Sequence, residues 1–194
     1  MNICIYGASC SDIDREYFEA ARELGALIAE NGHTLIFGGG RDGLMGAAAS
    51  AAAELGGRVI GILPAEYNVP GIVFSRCTEL IVTESVAERK RLMLEMADGF
   101  IALPGGLGTL DELFDALAQR QLGKHEKPIA LLNTLYFFCA LELVLTNCAK
   151  KGFMSRACLD TFTLCPYPED ALDCVLSGSG HGGRLTKFEN YKKN

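Results

Sequence analysis

Nine consecutive residues form the pattern in this sequence that is best suited to chemistry. Pro104-Gly105-Gly106-Leu107-Gly108-Thr109-Leu110-Asp111-Glu112 follows the apolar run Phe100 to Leu103 and precedes a helical pattern from Leu113 to Leu122. This order predicts a strand, a glycine-rich turn and the N-terminus of a helix. Glycines let a ligand approach the backbone closely. The first N–H groups of a helix have no intrahelical partner, so a phosphate is favoured there.

Glu112 distinguishes this segment from an ordinary phosphate-binding turn. A carboxylate beside a phosphate is electrostatically unfavourable, so its presence predicts chemistry in addition to binding. The same residues also fit a capping box, in which Thr109 is the N-cap residue and Glu112 bonds back to its N–H. The sequence leaves both interpretations open.

Two more glycine-rich turns follow predicted strands. Gly7-Ala8-Ser9 follows the strand Ile3 to Tyr6, and Gly38-Gly39-Gly40 follows the strand Thr34 to Phe37. Ligands of parallel sheets bind beyond the carboxyl ends of the strands. We therefore expect these two turns and the one at Gly105 to lie along one rim of a sheet.

Short apolar strands alternate with amphipathic helices along the chain, which predicts an α/β fold: one Rossmann-like domain with a mostly parallel sheet and helices on both faces. We expect this nucleotide-binding domain to span residues 1–178, and residues 179–194 to form a mobile C-terminal tail. Pro64 to Phe74 lacks periodicity and is predicted to be a loop over the sheet edge. A long helix is expected from Leu135 to Lys150.

Composition excludes several classes of function. The 194 residues carry a net charge of −6, which argues against a nucleic-acid binder. No apolar run is long enough to span a bilayer, so no membrane partner is expected. Met1-Asn2 leads directly into a strand, without the features of a signal peptide. The eight cysteines stand singly, without the spacing of metal ligands, and predict a reducing, cytoplasmic setting with no structural disulfide and no metal.

The segment Pro104 to Glu112 resembles the signature of the LOG family, the cytokinin riboside 5′-monophosphate phosphoribohydrolases. The strand and turn Cys4 to Ser9, the second glycine loop Leu35 to Gly46, and Arg89-Lys90 with Met93 also resemble motifs of this family. Several motifs in the right order are more specific than a single glycine motif. The resemblance covers all but about the last forty residues, for which it adds little.

The resemblance implies a hydrolase that cleaves the N-glycosidic bond of nucleoside 5′-monophosphates, AMP or N6-substituted, to free base and ribose 5-phosphate. It also implies a homodimer; no cofactor is expected. Glu112 and Arg89 fall at the positions of the family's catalytic Glu and Arg. The residues expected to bind the nucleotide are Gly7, Ser9, Gly39, Gly40, Lys90, Gly105, Gly106, Gly108 and Thr109.

Two dipeptides depart from the family pattern. Val86-Ala87 stands where the basic motif usually begins Met-His, and Arg41-Asp42 stands where the second glycine loop usually continues Ser-Val. Both departures bear on which base is bound more than on the reaction. An alternative function is a non-catalytic carrier of a nucleotide or of the molybdenum cofactor. Amino-acid decarboxylation, an old label of the family, needs a Schiff-base lysine or an equivalent electron sink, and no lysine is marked for that role.

Overall fold

A computed structural model of the chain describes residues 1–178, and these form a single parallel sheet with helices on both sides. The strands are β1 (Asn2–Tyr6), β2 (Thr34–Phe37), β3 (Val59–Pro64), β4 (Glu79–Thr83), β5 (Gly99–Ala102), β6 (Ile129–Leu132) and β7 (Thr163–Cys165). Their order across the sheet is β4-β3-β2-β1-β5-β6-β7, and every neighbouring pair is parallel. The predicted α/β class is confirmed.

The described residues contain six α-helices, of which five lie between strands and the sixth follows β7, with short 3-10 turns at Ala65–Tyr67, Thr134–Tyr136 and Arg156–Thr161. The helices are α1 (Arg15–Glu30), α2 (Gly43–Glu54), α3 (Val86–Met96), α4 (Leu107–Gln121), α5 (Cys139–Lys150) and α6 (Pro168–Leu176). Helices α1, α2 and α6 pack on one face of the sheet, and α3 and α4 pack on the other. The apolar strands are therefore buried on both faces, as parallel strands require.

The chain changes direction across the sheet between β1 and β5. Strand β1 pairs with β2 on one side and with β5 on the other, so that Cys4 lies opposite both Ile36 and Phe100. The chain runs outward from β1 to β4 and then returns to β5. The connections that leave β1 and β5 diverge to opposite sides, which opens a crevice at their carboxyl ends.

Close packing of α1 on α2 explains one glycine and the alanine-rich sequence of α2. A Cβ atom at Gly25 would lie 2.0 Å from the carbonyl oxygen of Ala48. Only small side chains at the contact allow the two backbones to approach this closely. The second helix thereby places its N-terminus, at Gly43, beside the turn that follows β1.

The predicted helix from Leu135 to Lys150 is wrong in its first turn. Leu135 and Tyr136 have φ angles of +51° and +60°, and α5 begins only at Cys139. The Asn133 side chain accepts a hydrogen bond from the N–H of Phe138 at 2.7 Å. This side-chain bond takes the place of a helical one, as is common for Asn in turns.

The segment from 64 to 74 is a loop after the end of β3, as predicted, apart from the 3-10 turn Ala65–Tyr67. It packs on the second glycine turn. The N–H of Arg41 donates to the carbonyl of Ile72 at 2.8 Å, and the N–H of Phe74 donates to the carbonyl of Gly39 at 2.9 Å. A segment without periodicity gave no indication of these long-range backbone bonds.

No helix within residues 1–178 has the length and apolar character needed to cross a bilayer. The predicted mobile tail, residues 179–194, lies outside the described residues, so the domain limit at residue 178 stays a prediction.

Candidate active site

A cleft of about 470 Å³ lies at the carboxyl ends of the central strands, where the topology predicts a ligand site. The turns after β1, β2 and β5 all contribute to it, so the expected common rim is present. Eight of the residues predicted from the sequence line this cleft: Gly7, Ser9, Gly40, Arg89, Gly106, Gly108, Thr109 and Glu112.

Backbone hydrogen bonds join these turns into one unit. The N–H of Ala8 donates to the carbonyl of Pro104 at 3.0 Å, and the N–H of Leu44 donates to the carbonyl of Ala8 at 2.8 Å. Gly43 has a φ of +70°, and a Cβ there would lie 2.2 Å from the Ala8 oxygen. The turn after β1 is thereby fixed between the starts of two helices, α2 and α4.

Helix α4 begins before the helical pattern that the sequence shows from Leu113, and of the two interpretations left open above, the capping box is contradicted. The helix starts at Leu107 with Gly106 as its N-cap, and no side chain among residues 1–178 caps it. Thr109 is the third helical residue, and Glu112 bonds to Arg89 instead of to the helix start. The leading N–H groups of α4 have no intrahelical partner, and they are available to an anion in the cleft.

Arg89 and Glu112 form an ion pair across the cleft side of α3 and α4. A terminal guanidinium nitrogen, Nη2, donates to Oε1 of Glu112. The side chain of Glu112 is 6% exposed and that of Arg89 is 18% exposed. Helix α3 starts at a fixed point because the Ser85 hydroxyl accepts a hydrogen bond from the N–H of Glu88. The two residues are distant in sequence, so only the tertiary fold brings them together.

The surroundings of Glu112 make its charge unfavourable. Burial raises the pKa of Glu112 above the ordinary carboxyl range, the Arg89 guanidinium opposes this, and the neighbouring Asp111 carboxylate raises it further. Within the described residues, the Nε–H of Arg89 is buried without a hydrogen-bond acceptor. Buried donors normally have partners, so the pair has an unused donor beside a carboxylate of perturbed pKa. Such groups in a cleft are typical of functional sites.

The chain is similar to known proteins over most of its length. The chain matches a protein family described as "possible lysine decarboxylase" over residues 45–175. A cytokinin riboside 5′-monophosphate phosphoribohydrolase of Mycobacterium tuberculosis is 39% identical over 170 residues, which cover 88% of this chain and 90% of that protein. The rice phosphoribohydrolase LOG (Oryza sativa subsp. japonica) is 34% identical over 97% of this chain and 73% of its own length. This chain belongs to the LOG family.

Solved structures share the fold of this LOG-family chain at lower identity. The molybdenum cofactor carrier protein of Chlamydomonas reinhardtii has a TM-score of 0.70 and 25% identity, with 91% of this chain and 96% of that chain covered. The molybdenum cofactor binding protein of Rippkaea orientalis has a TM-score of 0.66 and 26% identity over 91% and 94% of the two chains. The fold therefore occurs both in the phosphoribohydrolases and in cofactor carriers.

Three predicted binding residues of the LOG-family chain are not among those that line the cleft within residues 1–178: Gly39, Gly105 and Lys90. Gly39 has a φ of +74° and packs against Leu63. A Cβ at Gly105 would lie 2.1 Å from the Thr109 hydroxyl oxygen, so this glycine is needed for packing of the turn. Lys90 forms an ion pair with Asp111 instead.

Several apolar cleft residues were missed by the sequence analysis. Tyr67 and Ile72 come from the segment predicted to be an edge loop, and Met45, Leu63 and Leu107 complete an apolar part of the lining. Tyr67 and Ile72 are partly exposed although they are large and apolar. The signal in the sequence that could have identified them is an aromatic and an aliphatic residue in a segment directly after a strand.

The two departures from the LOG pattern lie outside the cleft lining given by the described part of the chain. Val86 and Ala87 open helix α3. Arg41 and Asp42 precede α2, and their exposed side chains pair with each other at 3.4 Å. Neither dipeptide therefore alters the wall of the cleft directly.

Proposed function

We propose that this protein hydrolyses the N-glycosidic bond of nucleoside 5′-monophosphates, so that nucleotide and water give free base and ribose 5-phosphate. The curated relatives named as phosphoribohydrolases support this assignment. One structural observation carries it: a buried carboxylate, Glu112, faces a cleft beside the unpaired N-terminus of a helix and is bonded to Arg89.

Each group in the cleft has a role that suits this reaction. Loss of the base gives the ribose oxocarbenium character, which a carboxylate stabilises. Glu112 supplies that negative charge, holds the ribose hydroxyls or accepts a proton from the attacking water. The N–H groups at Gly108 and Thr109 bind the 5′-phosphate together with the helix dipole. Arg89 lines the cleft and its side chain is 18% exposed, which supports a direct bond from its guanidinium to the nucleotide.

The test is incubation of the purified protein with AMP and with an N6-isopentenyl derivative of AMP. We expect release of adenine or the substituted base together with ribose 5-phosphate in equal amounts, measured by chromatography. Tight binding of AMP without any release would reject the hydrolase and favour the carrier. The ratio of kcat/KM for the two nucleotides measures whether the apolar lining at Tyr67 and Ile72 favours the substrate with the added alkyl group.

Two glycines of the turn give a matched pair of variants. We expect Gly108→Ala to raise the KM for AMP about tenfold, because the added methyl group obstructs the close approach of the phosphate to the turn. Its melting temperature should not fall, because a Cβ at Gly108 would meet no described atom within 4 Å beyond its own turn of helix. Gly105→Ala should instead lower the free energy of unfolding by about 1–3 kcal/mol, since its Cβ collides with Thr109.

Thermal melts and Michaelis constants for both variants check this prediction. A Gly108→Ala protein with unchanged KM would contradict phosphate binding at this turn.

A carrier of the molybdenum cofactor is the second candidate, and the structural likeness to two such proteins favours it. The sequence identity is lower for these carriers than for the phosphoribohydrolases. A buried carboxylate beside a phosphate site also weakens binding without contributing to a carrier's function. We therefore rank hydrolysis first, and the AMP experiment distinguishes the two.

Amino-acid decarboxylation does not fit the cleft. That chemistry depends on a Schiff-base lysine or an equivalent electron sink. Within the described part of the chain, the cleft lining contains no lysine, and Lys90 is paired with Asp111 outside it. The family description "possible lysine decarboxylase" therefore has no counterpart among these residues.

We also propose that the protein is a homodimer that associates through the α5 surface, defined by Leu135, Tyr136, Leu143 and Val144. These four side chains are more than half exposed, and within residues 1–178 helix α5 buries none of its own residues. Several large apolar side chains left exposed in and beside one helix are typical of an interface. We expect Leu143→Glu to produce monomers in sedimentation-velocity experiments.

Leu55→Glu is the control for this prediction, because Leu55 is equally apolar and half exposed but lies at the end of α2 on the opposite face. Monomeric wild-type protein, or an unchanged dimer in Leu143→Glu, would contradict the proposed surface.

A reducing compartment, the cytoplasm, is the proposed location. No disulfide joins cysteines within residues 1–178, and Cys4, Cys158, Cys165 and Cys174 are buried. Cysteines outside disulfides are typical of cytosolic proteins, since oxidising compartments favour disulfides. Cell fractionation followed by immunoblotting tests this proposal.

A further inference from the structure

Helices α3 and α4 are joined by two adjacent ion pairs. Two consecutive residues of α3, Arg89 and Lys90, pair with two consecutive residues of α4, Glu112 and Asp111. The Lys90 Nζ lies 2.9 and 2.8 Å from the two carboxylate oxygens of Asp111. Consecutive helical residues point in different directions, so one pair faces the cleft and the other closes the outer side of the same contact.

We propose that Lys90 and Asp111 are positioning residues that keep α3 in register with the start of α4 and balance the charge around Glu112. This inference rests on the proposed hydrolysis for its kinetic readout. It assigns to Lys90 a role other than nucleotide binding, because its ammonium group is committed to Asp111 and does not contribute to the cleft lining within residues 1–178.

The outer pair acts on Glu112 with opposite signs. The Asp111 carboxylate raises the pKa of Glu112 and the Lys90 ammonium lowers it, both after the larger effects of burial and of Arg89. While the pair is intact, the two charges oppose each other at Glu112. Removal of one partner leaves the charge of the other uncompensated near Glu112. The Lys90 side chain is 21% exposed, so its charge is only partly in contact with water.

Strand β1 contributes two further titratable groups near Glu112. Cys4 and Tyr6 are buried beneath it, and they share a side-chain hydrogen bond. Burial raises the pKa of the Tyr6 phenol well above its usual range, and it also raises the pKa of the Cys4 thiol. Both groups are therefore neutral in the acidic range, and they do not interfere with a titration of Glu112.

The experiment compares Lys90→Met, Asp111→Asn and the control Arg91→Met. Arg91 is the next residue of α3, but it pairs with Glu95 on the exposed face at 2.7 Å. Because Glu112 acts as a carboxylate, the acidic limb of the kcat/KM profile follows its pKa. We expect the limb to move up by about half a pH unit in Lys90→Met and down by about as much in Asp111→Asn, with no movement in Arg91→Met.

Both variants should also lose about three- to tenfold in kcat/KM at the pH optimum, because each breaks one of the two ion pairs that join the helices. The charge-swapped double variant Lys90→Asp/Asp111→Lys should recover part of this loss. Lys90→Arg, which keeps the charge, should leave the acidic limb in place. Acidic limbs that move in the same direction, or that move no more than in Arg91→Met, would overturn the proposal.

A carboxyl ¹³C NMR titration of Glu112, assigned with Glu112→Gln, repeats the comparison without substrate. If the pKa of Glu112 moves in opposite directions in Lys90→Met and Asp111→Asn but the protein does not cleave AMP, the positioning pair is supported and hydrolysis is rejected. Cleavage of AMP with no difference between the variants in this titration would retain the hydrolase and reject the positioning pair.

Discussion

Replacement of Glu112 by Gln is expected to lower kcat for release of adenine from AMP about 1,000-fold, equivalent to about 4 kcal/mol of activation free energy. Gln keeps the size of the side chain and an oxygen that accepts from Arg89, but it carries no charge and accepts no proton. Affinity for AMP should stay within a few-fold of wild type, because the phosphate contacts come from the glycine turn. Steady-state kinetics and calorimetric binding measure the two effects.

The stability of Glu112→Gln provides an independent readout. Burial raises the pKa of Glu112 in the folded protein, so the folded state disfavours the ionised form relative to the unfolded chain. The stabilising contribution of the protonated group is present below the unfolded pKa, and it is lost as the pH rises through the folded pKa. We therefore expect the Gln variant to melt above wild type at neutral pH and together with it below about pH 4.

Asp115→Asn is the control variant, because Asp115 lies on the same helix and bonds to Gln119 at 3.2 Å. It should retain wild-type activity. Full turnover in Glu112→Gln would reject the proposed mechanism, and equal losses in both variants would indicate a structural effect of altering α4.

Replacement of Arg89 by Met is expected to lower kcat/KM for AMP about 100-fold or more, the equivalent of about 2.7 kcal/mol. The variant loses a bond to the nucleotide and leaves a buried carboxylate without its cation. Since Arg89 lowers the pKa of Glu112, its removal moves the acidic limb of the pH profile upward. Stability should fall most at neutral pH and recover on acidification, as Glu112 becomes protonated.

Arg89→Lys separates charge from geometry. It restores a cation near Glu112 but not the planar guanidinium, so the acidic limb should return toward wild type while kcat/KM stays low. Pre-steady-state binding and pH profiles of the two variants provide the measurement. An Arg89→Met protein with wild-type kcat/KM would show that the ion pair has no part in catalysis.

Local patterns in the sequence were sufficient to predict the architecture. The strands from Asn2 to Ala102 and the glycines that follow them are visible as short apolar runs and breaks, and the rule for ligands of parallel sheets places their turns on one rim. Family motifs added Arg89 and Glu112 as a pair. These features are local in the chain or belong to a short motif, so no knowledge of packing was needed.

The helix boundaries near the glycines were harder to predict from the sequence. The apolar pattern of α4 becomes visible only at Leu113, and the capping-box interpretation placed the N-cap at Thr109, whereas the helix starts at Leu107, because Gly106 and Gly108 have poor helix propensity. The same glycines hid the fact that Thr109 is inside the helix, so the capping box remained a plausible alternative. At Leu135 and Tyr136 the apolar pattern was helical, whereas a bond from Asn133 decided the backbone conformation.

The amino-acid sequence determined the α/β sheet, the three glycine turns and the identity of the residues with chemical potential. Tertiary structure alone decided which of them meet: Glu112 turns to Arg89 instead of to its own helix, and Lys90 turns to Asp111 instead of to the cleft. It also brought Tyr67 and Ile72 over the site. The physical reason is that ion pairing and burial depend on residues far apart in the chain, whose distances only the packed helices and strands fix.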